Sequence, residues 1–169
     1  AKDAEIAVMI TLGTGVGGGI IVDNKIYEGN GSAGELGHII IEMNGRPCLC
    51  GKNGCFEQYA SVTALVKAAK KAACENPDSM LNAMYKEADK MNGKVFFNAV
   101  NNGCPVAKAV LDEYVTYLAI GIRSIYNALD PEMIVLSGGI TNSGDALLNP
   151  LKEKLGDDIP IKISKLKSD

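Results

Sequence analysis

His38 is followed by Cys48, Cys50 and Cys55, so one imidazole and three thiols sit inside the stretch GHIIIEMNGRPCLCGKNGCFEQ. Thiolates are soft ligands and imidazole is borderline, and Zn²⁺ takes three of the first and one of the second in a tetrahedral site. The three cysteines fall within eight residues, with Gly51 and Gly54 between them. That spacing suits a tight loop, and the ten-residue step from His38 lets the fourth ligand arrive from a neighbouring turn or strand end. A zinc held by four protein ligands is a structural one. On spacing alone, a thiol-exchange pair and inert cysteines remain as other readings.

A second kind of chemistry is written in glycine. The run Gly13-Thr14-Gly15-Val16-Gly17-Gly18-Gly19 is denser than a turn requires. Glycines let backbone come close to a ligand and turn successive N–H groups toward anionic oxygens. Phosphate is the natural guest, and a tight hairpin beside a bulge is the alternative. The P-loop pattern is absent, and the following segment reads as a strand, which excludes the dinucleotide fingerprint. Ser137-Gly138-Gly139 follows a short apolar run and precedes a helical one, where backbone meets nucleotides in open sheets; taken alone, the run reads more readily as a plain turn. Two carboxylates bracket the cysteine cluster. Glu35 lies three residues before His38, and Glu57 two residues after Cys55. Together with the imidazole they could read sugar hydroxyls. Alternatively Glu35 is a loop acid and Glu57 a helix-start acid favoured by the helix dipole.

These residues need elements to hold them. Residues 6–12 are almost continuously apolar and predict a buried strand, with a second strand at 20–22 reached through the glycine turn. Asp23-Asn24-Lys25 predicts a hairpin turn into Ile26-Tyr27. Residues 28–37 read as a polar glycine-rich loop, 38–43 as another strand and 44–57 as the cysteine loop. Helical periodicity then covers 59–73, capped by Ser61, and 79–91 after the Asn76-Pro77-Asp78 break. A short helix or turn follows at 94–101. Pro105 opens the longest helix, to about Leu129, within which Gly121 allows a neighbour to pack closely. A strand at 133–136, a helix at 142–155 containing Pro150 and a strand at 159–163 complete the pattern.

The chain of 169 residues is long enough for one full core or two small ones. Its balance of 47% hydrophobic and 22% charged residues fits a folded globular protein, not a disordered one. A net charge of -3 with interspersed signs gives no basic face, so neither nucleic acid nor membrane is expected as a partner. No apolar run approaches the roughly 18 residues of a membrane span. Five cysteines, three of them in one cluster, fit a reduced, cytoplasmic setting.

GTGVGGG (13–19), EGNGSAGELGHI (28–39), CLCGKNGCFE (48–57) and LSGGI (136–140) together resemble the ROK family of sugar kinases and related repressors, and are similar to its bacterial glucokinases. The resemblance runs from about Ile6 to the chain end. It implies an α/β, ribonuclease-H-like lobe of the actin-like ATPase and sugar kinase type: a mixed sheet with flanking helices and a zinc-binding loop. Residues 1–169 would be a C-terminal lobe, with the zinc loop at 38–57 and a helical portion at 59–129. The N-terminal lobe, with the first phosphate loop and the catalytic base, would lie outside this chain.

By the same resemblance, Glu35, His38 and Glu57 would bind sugar hydroxyls. His38, Cys48, Cys50 and Cys55 would hold a structural Zn²⁺. Thr14, Gly15, Val16, Gly17 and Gly18 would face the phosphates of Mg²⁺-ATP, and Gly138 and Gly139 the adenosine. The implied reaction moves the γ-phosphoryl group of ATP to the 6-hydroxyl of a hexose, glucose first. With no base in the chain, this lobe alone is expected to be inactive. The full-length protein is expected to be a homodimer. Other hexose kinases (fructose, mannose, N-acetylmannosamine) share the scaffold, and so do ROK repressors, in which the lobe would be a sugar-sensing effector domain.

Overall fold

The structure is a computed structural model and describes residues 4–164. A five-stranded mixed sheet has the order β3-β2-β1-β4-β5. Strand β1 (Ile6–Leu12) turns back through Gly13-Thr14-Gly15 into β2 (Val16–Val22), antiparallel, with Leu12 opposite Val16. Asp23 and Asn24, at φ 51° and 58°, then form the two-residue turn into β3 (Lys25–Ile26). Positive φ at both centres is what a type I′ hairpin needs, and Asp and Asn tolerate it. Strands β4 (Met133–Ser137) and β5 (Ile161–Ile163) add on the other side of β1, both parallel.

All but one of the helices described lie between β3 and β4. They are α1 (Glu57–Ala60), α2 (Val62–Glu75), α3 (Met80–Ala88), α4 (Gly93–Asn101) and α5 (Pro105–Leu129). Helix α6 (Asp145–Leu155) connects β4 to β5. The starts are set by capping side chains: Ser61 Oγ accepts from the Ala64 N–H at 3.1 Å, Ser79 Oγ from Asn82 at 3.1 Å, and Asn92 Oδ1 from Val95 at 3.0 Å. Pro105 occupies the first turn of α5, where its missing N–H costs nothing, and Asp130 ends that helix in the left-handed region.

Val8, Ile10, Leu12, Ile134 and Leu136 of the sheet share one buried cluster with Leu118, Ile122 and Ile125 of α5, Leu65 of α2 and Leu147, Leu151 and Leu155 of α6. Helix α5 packs against α1, α2, α4 and α6.

Several expectations change. The second strand begins at Val16, so Gly17, Gly18 and Gly19 lie within β2 and not in the turn before it. The helix expected over 59–73 is broken at Ser61, whose extended backbone separates α1 from α2. Strand β1 alternates: Val8, Ile10 and Leu12 are buried while Met9 and Thr11 are exposed, so its apolar run covers two unequal faces. Residues 38–43 are not a strand. Leu36–His38 is a 3-10 turn, and beyond it only Ile40 makes an isolated bridge, to Cys55. The helix expected at 79–91 stops at Ala88, because Asp89 turns left-handed at φ 56°. The helix expected from Asn142 begins at Asp145, because Gly144 at φ 57° and ψ −128° separates it from a 3-10 turn over Gly139–Ser143. It then runs through Pro150. No helix among the described residues is long and apolar enough to cross a membrane.

Candidate functional site

The two glycine turns meet because β1 and β4 run parallel, with Thr11 opposite Ser137. Both strands therefore release their chains at the same end of the sheet, one into Gly13 and the other into Gly138. The fit is close: Gly138 stands at φ 102°, and a Cβ there would overlap the Leu12 carbonyl oxygen. Only glycine meets both conditions. The neighbouring Gly139 is exposed and has nothing within 4 Å of such a Cβ. The crevice at the carboxyl ends of parallel strands is where open α/β sheets take ligands.

The first glycine turn is strapped to the chain that follows the cysteine loop. Val62 N–H donates to the Gly13 carbonyl at 2.8 Å, and Thr63 Oγ1 donates to the Thr14 carbonyl at 2.7 Å. The Val16 N–H donates to Glu57 Oε2 at 3.0 Å. A Cβ on Gly15 would run into that same carboxylate. Gly18 serves a different contact. Its α-carbon faces Leu36 and the Gly34 carbonyl, so the 28–35 loop can lie directly on β2. Between β2 and that loop opens a cleft of about 440 Å³, whose lining includes Gly17, Gly18, Glu28, Ser32 and Glu35.

The cysteine loop brings its four candidate ligands together. Their donor atoms all lie within 4.8 Å of one another. Cys48 Sγ is 3.7 Å from His38 Nδ1, and Cys50 Sγ is 3.5 Å from Cys55 Sγ. Zinc–sulfur bonds of about 2.3 Å and zinc–nitrogen bonds of about 2.0 Å in a tetrahedron put neighbouring ligand atoms about 3.5–3.8 Å apart, so both the donor set and its spacing fit Zn²⁺. All five cysteines of the chain are free thiols. Cys55 is fully buried, and that burial pushes its thiol up to about 12. Cys50 is exposed, and the backbone hydrogen bond from Lys52 lowers its thiol below the ordinary value.

His38 divides its ring between two tasks. Nδ1 faces the cysteines, while Nε2 lies 3.8 Å from Glu35 Oε2. The carboxylate thus stands where it can orient the ring, as carboxylate partners of metal-bound histidines do. Glu35 itself is exposed and lines the cleft.

The structure adds several positioning residues that the motifs did not single out. Gln58 Nε2 donates to Cys48 Sγ at 3.6 Å. Arg46 stacks its guanidinium 4.3 Å over the Tyr59 ring, donates to the Gln58 carbonyl at 3.0 Å and pairs with Glu113 of α5 at 3.5 Å. Tyr59 stacks in turn on Tyr117 with centroids 4.4 Å apart. Phe56, fully buried, lies against Gly121 of α5, where a Cβ would strike its ring. The close packing expected at Gly121 therefore has Phe56 as its partner. Arg46 and Tyr59 carry no metal-ligand signal in sequence. Gln58, one helical turn after Cys55, could have been found from that spacing.

Comparison with known proteins decides the family. A model described as ROK family matches residues 1–159. The chain belongs to the ROK family. It is 42% identical over 152 residues to a glucokinase of Halalkalibacterium halodurans, an alignment covering 89% of this chain and 46% of that protein. It is 29% identical over 169 residues to a xylose repressor of Caldicellulosiruptor bescii, covering 95% of this chain and 42% of the repressor. Among solved structures, a ROK family glucokinase from Streptomyces griseus, in complex with glucose and AMPPNP, superposes with a TM-score of 0.87 at 31% identity, over 98% of this chain and 57% of that one. The expected mixed sheet with flanking helices, of the actin-like sugar kinase type, is therefore the fold of this ROK chain. The chain spans about half the length of these relatives.

Proposed function

We propose that this ROK chain is the C-terminal lobe of an ATP-dependent hexose kinase, with glucose as first substrate. One observation carries the reading: the parallel β1–β4 register sets two glycine turns side by side at one sheet end, next to Glu57, with Glu35 and His38 on the adjoining loop. Exposed backbone at such an end suits a nucleotide's phosphates, and paired carboxylates with an imidazole suit vicinal hydroxyls. The similarity to glucokinases, one of them in complex with glucose and AMPPNP, supports the same assignment.

In this reading Thr14, Gly15, Gly17 and Gly18 approach the transferred and neighbouring phosphates of Mg²⁺-ATP, and Gly138 and Gly139 the adenosine. Val16 takes part through its position at the start of β2, directly after the turn, since its N–H already donates to Glu57. Glu35, His38 and Glu57 read sugar hydroxyls. His38 Nδ1, Cys48, Cys50 and Cys55 hold Zn²⁺, which, coordinated by four protein groups, supplies folding energy and fixes ligand orientation. These residues bind and orient. The base that takes the proton from the 6-hydroxyl belongs to the other lobe, and phosphoryl transfer depends on positioning both halves. This lobe alone is proposed to be inactive.

The test is a coupled assay of the full-length parent with ATP and a panel of glucose, fructose, mannose and N-acetylmannosamine. ATP-dependent turnover, fastest on glucose, is expected. A different preferred sugar replaces glucose and keeps the kinase. No turnover on any hexose overturns the kinase in favour of a sugar-sensing effector domain, the reading that the repressor similarity favours.

A further inference from the structure

The cysteine cluster and the glycine turn are about forty positions apart in sequence, yet a single side chain joins them. Cys55 is the last candidate ligand, and Glu57 follows two residues later at the first turn of α1. Glu57 Oε2 accepts the Val16 N–H at 3.0 Å. That N–H is turned away from β1. Residues of β2 alternate in the edge they address, and Ile20, four positions on, offers its carbonyl to Tyr27 on the side of β3. Short β3 pairs only with Ile21 and Val22, so at Val16 the carboxylate stands where a neighbouring strand would have continued. From the other side the turn is shaped to the same group, since Gly15 has no room for a Cβ beside Oε2. Phe56, between Cys55 and Glu57, is fully buried against α5 at Gly121, so the short link is anchored at its middle.

We infer that Glu57 is a positioning residue through which the metal centre sets the geometry of the glycine turn: ordering Cys55 fixes the start of α1, α1 fixes the carboxylate, and the carboxylate holds the Val16 N–H. The inference rests on the reading of His38, Cys48, Cys50 and Cys55 as a metal site and extends that site's reach from the sugar-facing loop to the phosphate-facing turn. Coupling between two sites is reciprocal. A disturbance made in the glycine turn must therefore be felt at the metal, and the converse.

The coupling and the hydrogen bond that carries it can both be read without any catalytic assay, on the chain in the absence of sugar and nucleotide. For the first, zinc affinity is measured by competition with a chromophoric chelator for wild type and Gly15→Ala. The added methyl displaces the Glu57 carboxylate without touching a ligand. Zinc affinity is expected to fall by about threefold or more, the scale of an energetic coupling between linked sites. For the second, amide hydrogen exchange is followed by NMR in the zinc-loaded state. Glu57→Ala is expected to speed exchange at Val16 about tenfold or more, the scale of a lost hydrogen bond to a charged group. Glu57→Gln, which keeps a carbonyl acceptor, should restore most of the protection, and the Ile122 amide in α5 should be unchanged in both. A Gly15→Ala protein with wild-type zinc affinity, or a Val16 amide as well protected in Glu57→Ala as in wild type, overturns the inference. Should the wild-type chain take up no zinc at all, the metal reading fails first, and the stoichiometry shows it.

Discussion

The cysteine loop and the pair of glycine turns are both candidate binding regions, yet they are built on opposite principles. In the loop the chemistry lives in side chains: three thiols and an imidazole whose donor atoms converge within 4.8 Å. In the turns it lives in the backbone, and what matters at Gly15, Gly18 and Gly138 is that a side chain is missing. A side-chain site fails when a group is removed, a backbone site when one is added. Moreover, not every glycine in a run does the same thing. Gly138 is fixed by its φ and by the Leu12 carbonyl, Gly15 by Glu57 and Gly18 by the crossing loop, while Gly13, Gly19 and Gly139 meet nothing within 4 Å.

The largest effect expected is from removal of a ligand. Cys48→Ser should take bound zinc from close to one per chain to far below one, and should lower the melting temperature by more than any substitution below, since structural zinc is worth of order 10 kcal/mol in small zinc domains. Metal analysis of protein purified without added metal, with a thermal melt, measures both. Retained metal and an unchanged melt would break the contrast, because the loop would then not depend on its side chains.

Next is the addition of one methyl at the turns. Gly138→Ala forces a side chain into a left-handed position against the Leu12 carbonyl, with an expected loss of about 2–4 kcal/mol. Gly139→Ala, one residue on and unobstructed, should stay within about 0.5 kcal/mol of wild type. Urea unfolding of the two variants reads the difference directly. Equal losses would mean that the glycines act as a run and not one by one.

A third comparison lies where the loop meets the helical layer. Gly121→Ala raises helix propensity by about 1 kcal/mol but drives a methyl into the Phe56 ring at an overpacking cost of about 1–3 kcal/mol, so a net loss of up to about 2 kcal/mol is expected. Net stabilisation would show that the cysteine loop gives way easily.

The smallest effect concerns Tyr114. Its hydroxyl donates to the Ala60 carbonyl at 2.7 Å from a buried position on α5. Burial raises its phenol above the ordinary value. The folded state therefore holds that proton more tightly than the unfolded chain, and the contribution is complete below about pH 10, then falls as pH rises beyond it. Tyr114→Phe should cost about 1 kcal/mol at neutral pH and make the alkaline decline shallower. A stability–pH curve from pH 7 to 11 for both proteins checks the sign.

The two regions also differed in how far they could be read in advance. The convergence of the candidate ligands His38, Cys48, Cys50 and Cys55 was legible because chelation needs particular atoms, and residue types name them. The helix bounds were legible where a stop or start is a local event: Pro105 opening α5, Asp130 closing it and Ser61 capping α2. The failures came where a local pattern was overruled. Residues 38–43 have strand-like composition, but the candidate ligand His38 ends a 3-10 turn and the chain beyond it must fold back so that Ile40 can bridge Cys55, which leaves no partner for a continuous ladder. The alternation of β1 was hidden because Met9, exposed on one face, is itself apolar.

By itself the sequence determined the donor atoms of the cysteine loop, the stretches where glycine is concentrated, and most of the succession of strands and helices. These depend on residue type and short-range spacing, which a chain carries with it before it folds. Only the tertiary structure decided that β1 and β4 run parallel and so bring Gly13 beside Gly138. It also decided that Phe56 seats on Gly121, and that Glu57 reaches back to the Val16 N–H. Those contacts join residues from about forty to more than a hundred positions apart. Their partners are backbone atoms or the bare face of a glycine, and such groups carry no mark of their own in sequence until packing fixes which of them will meet.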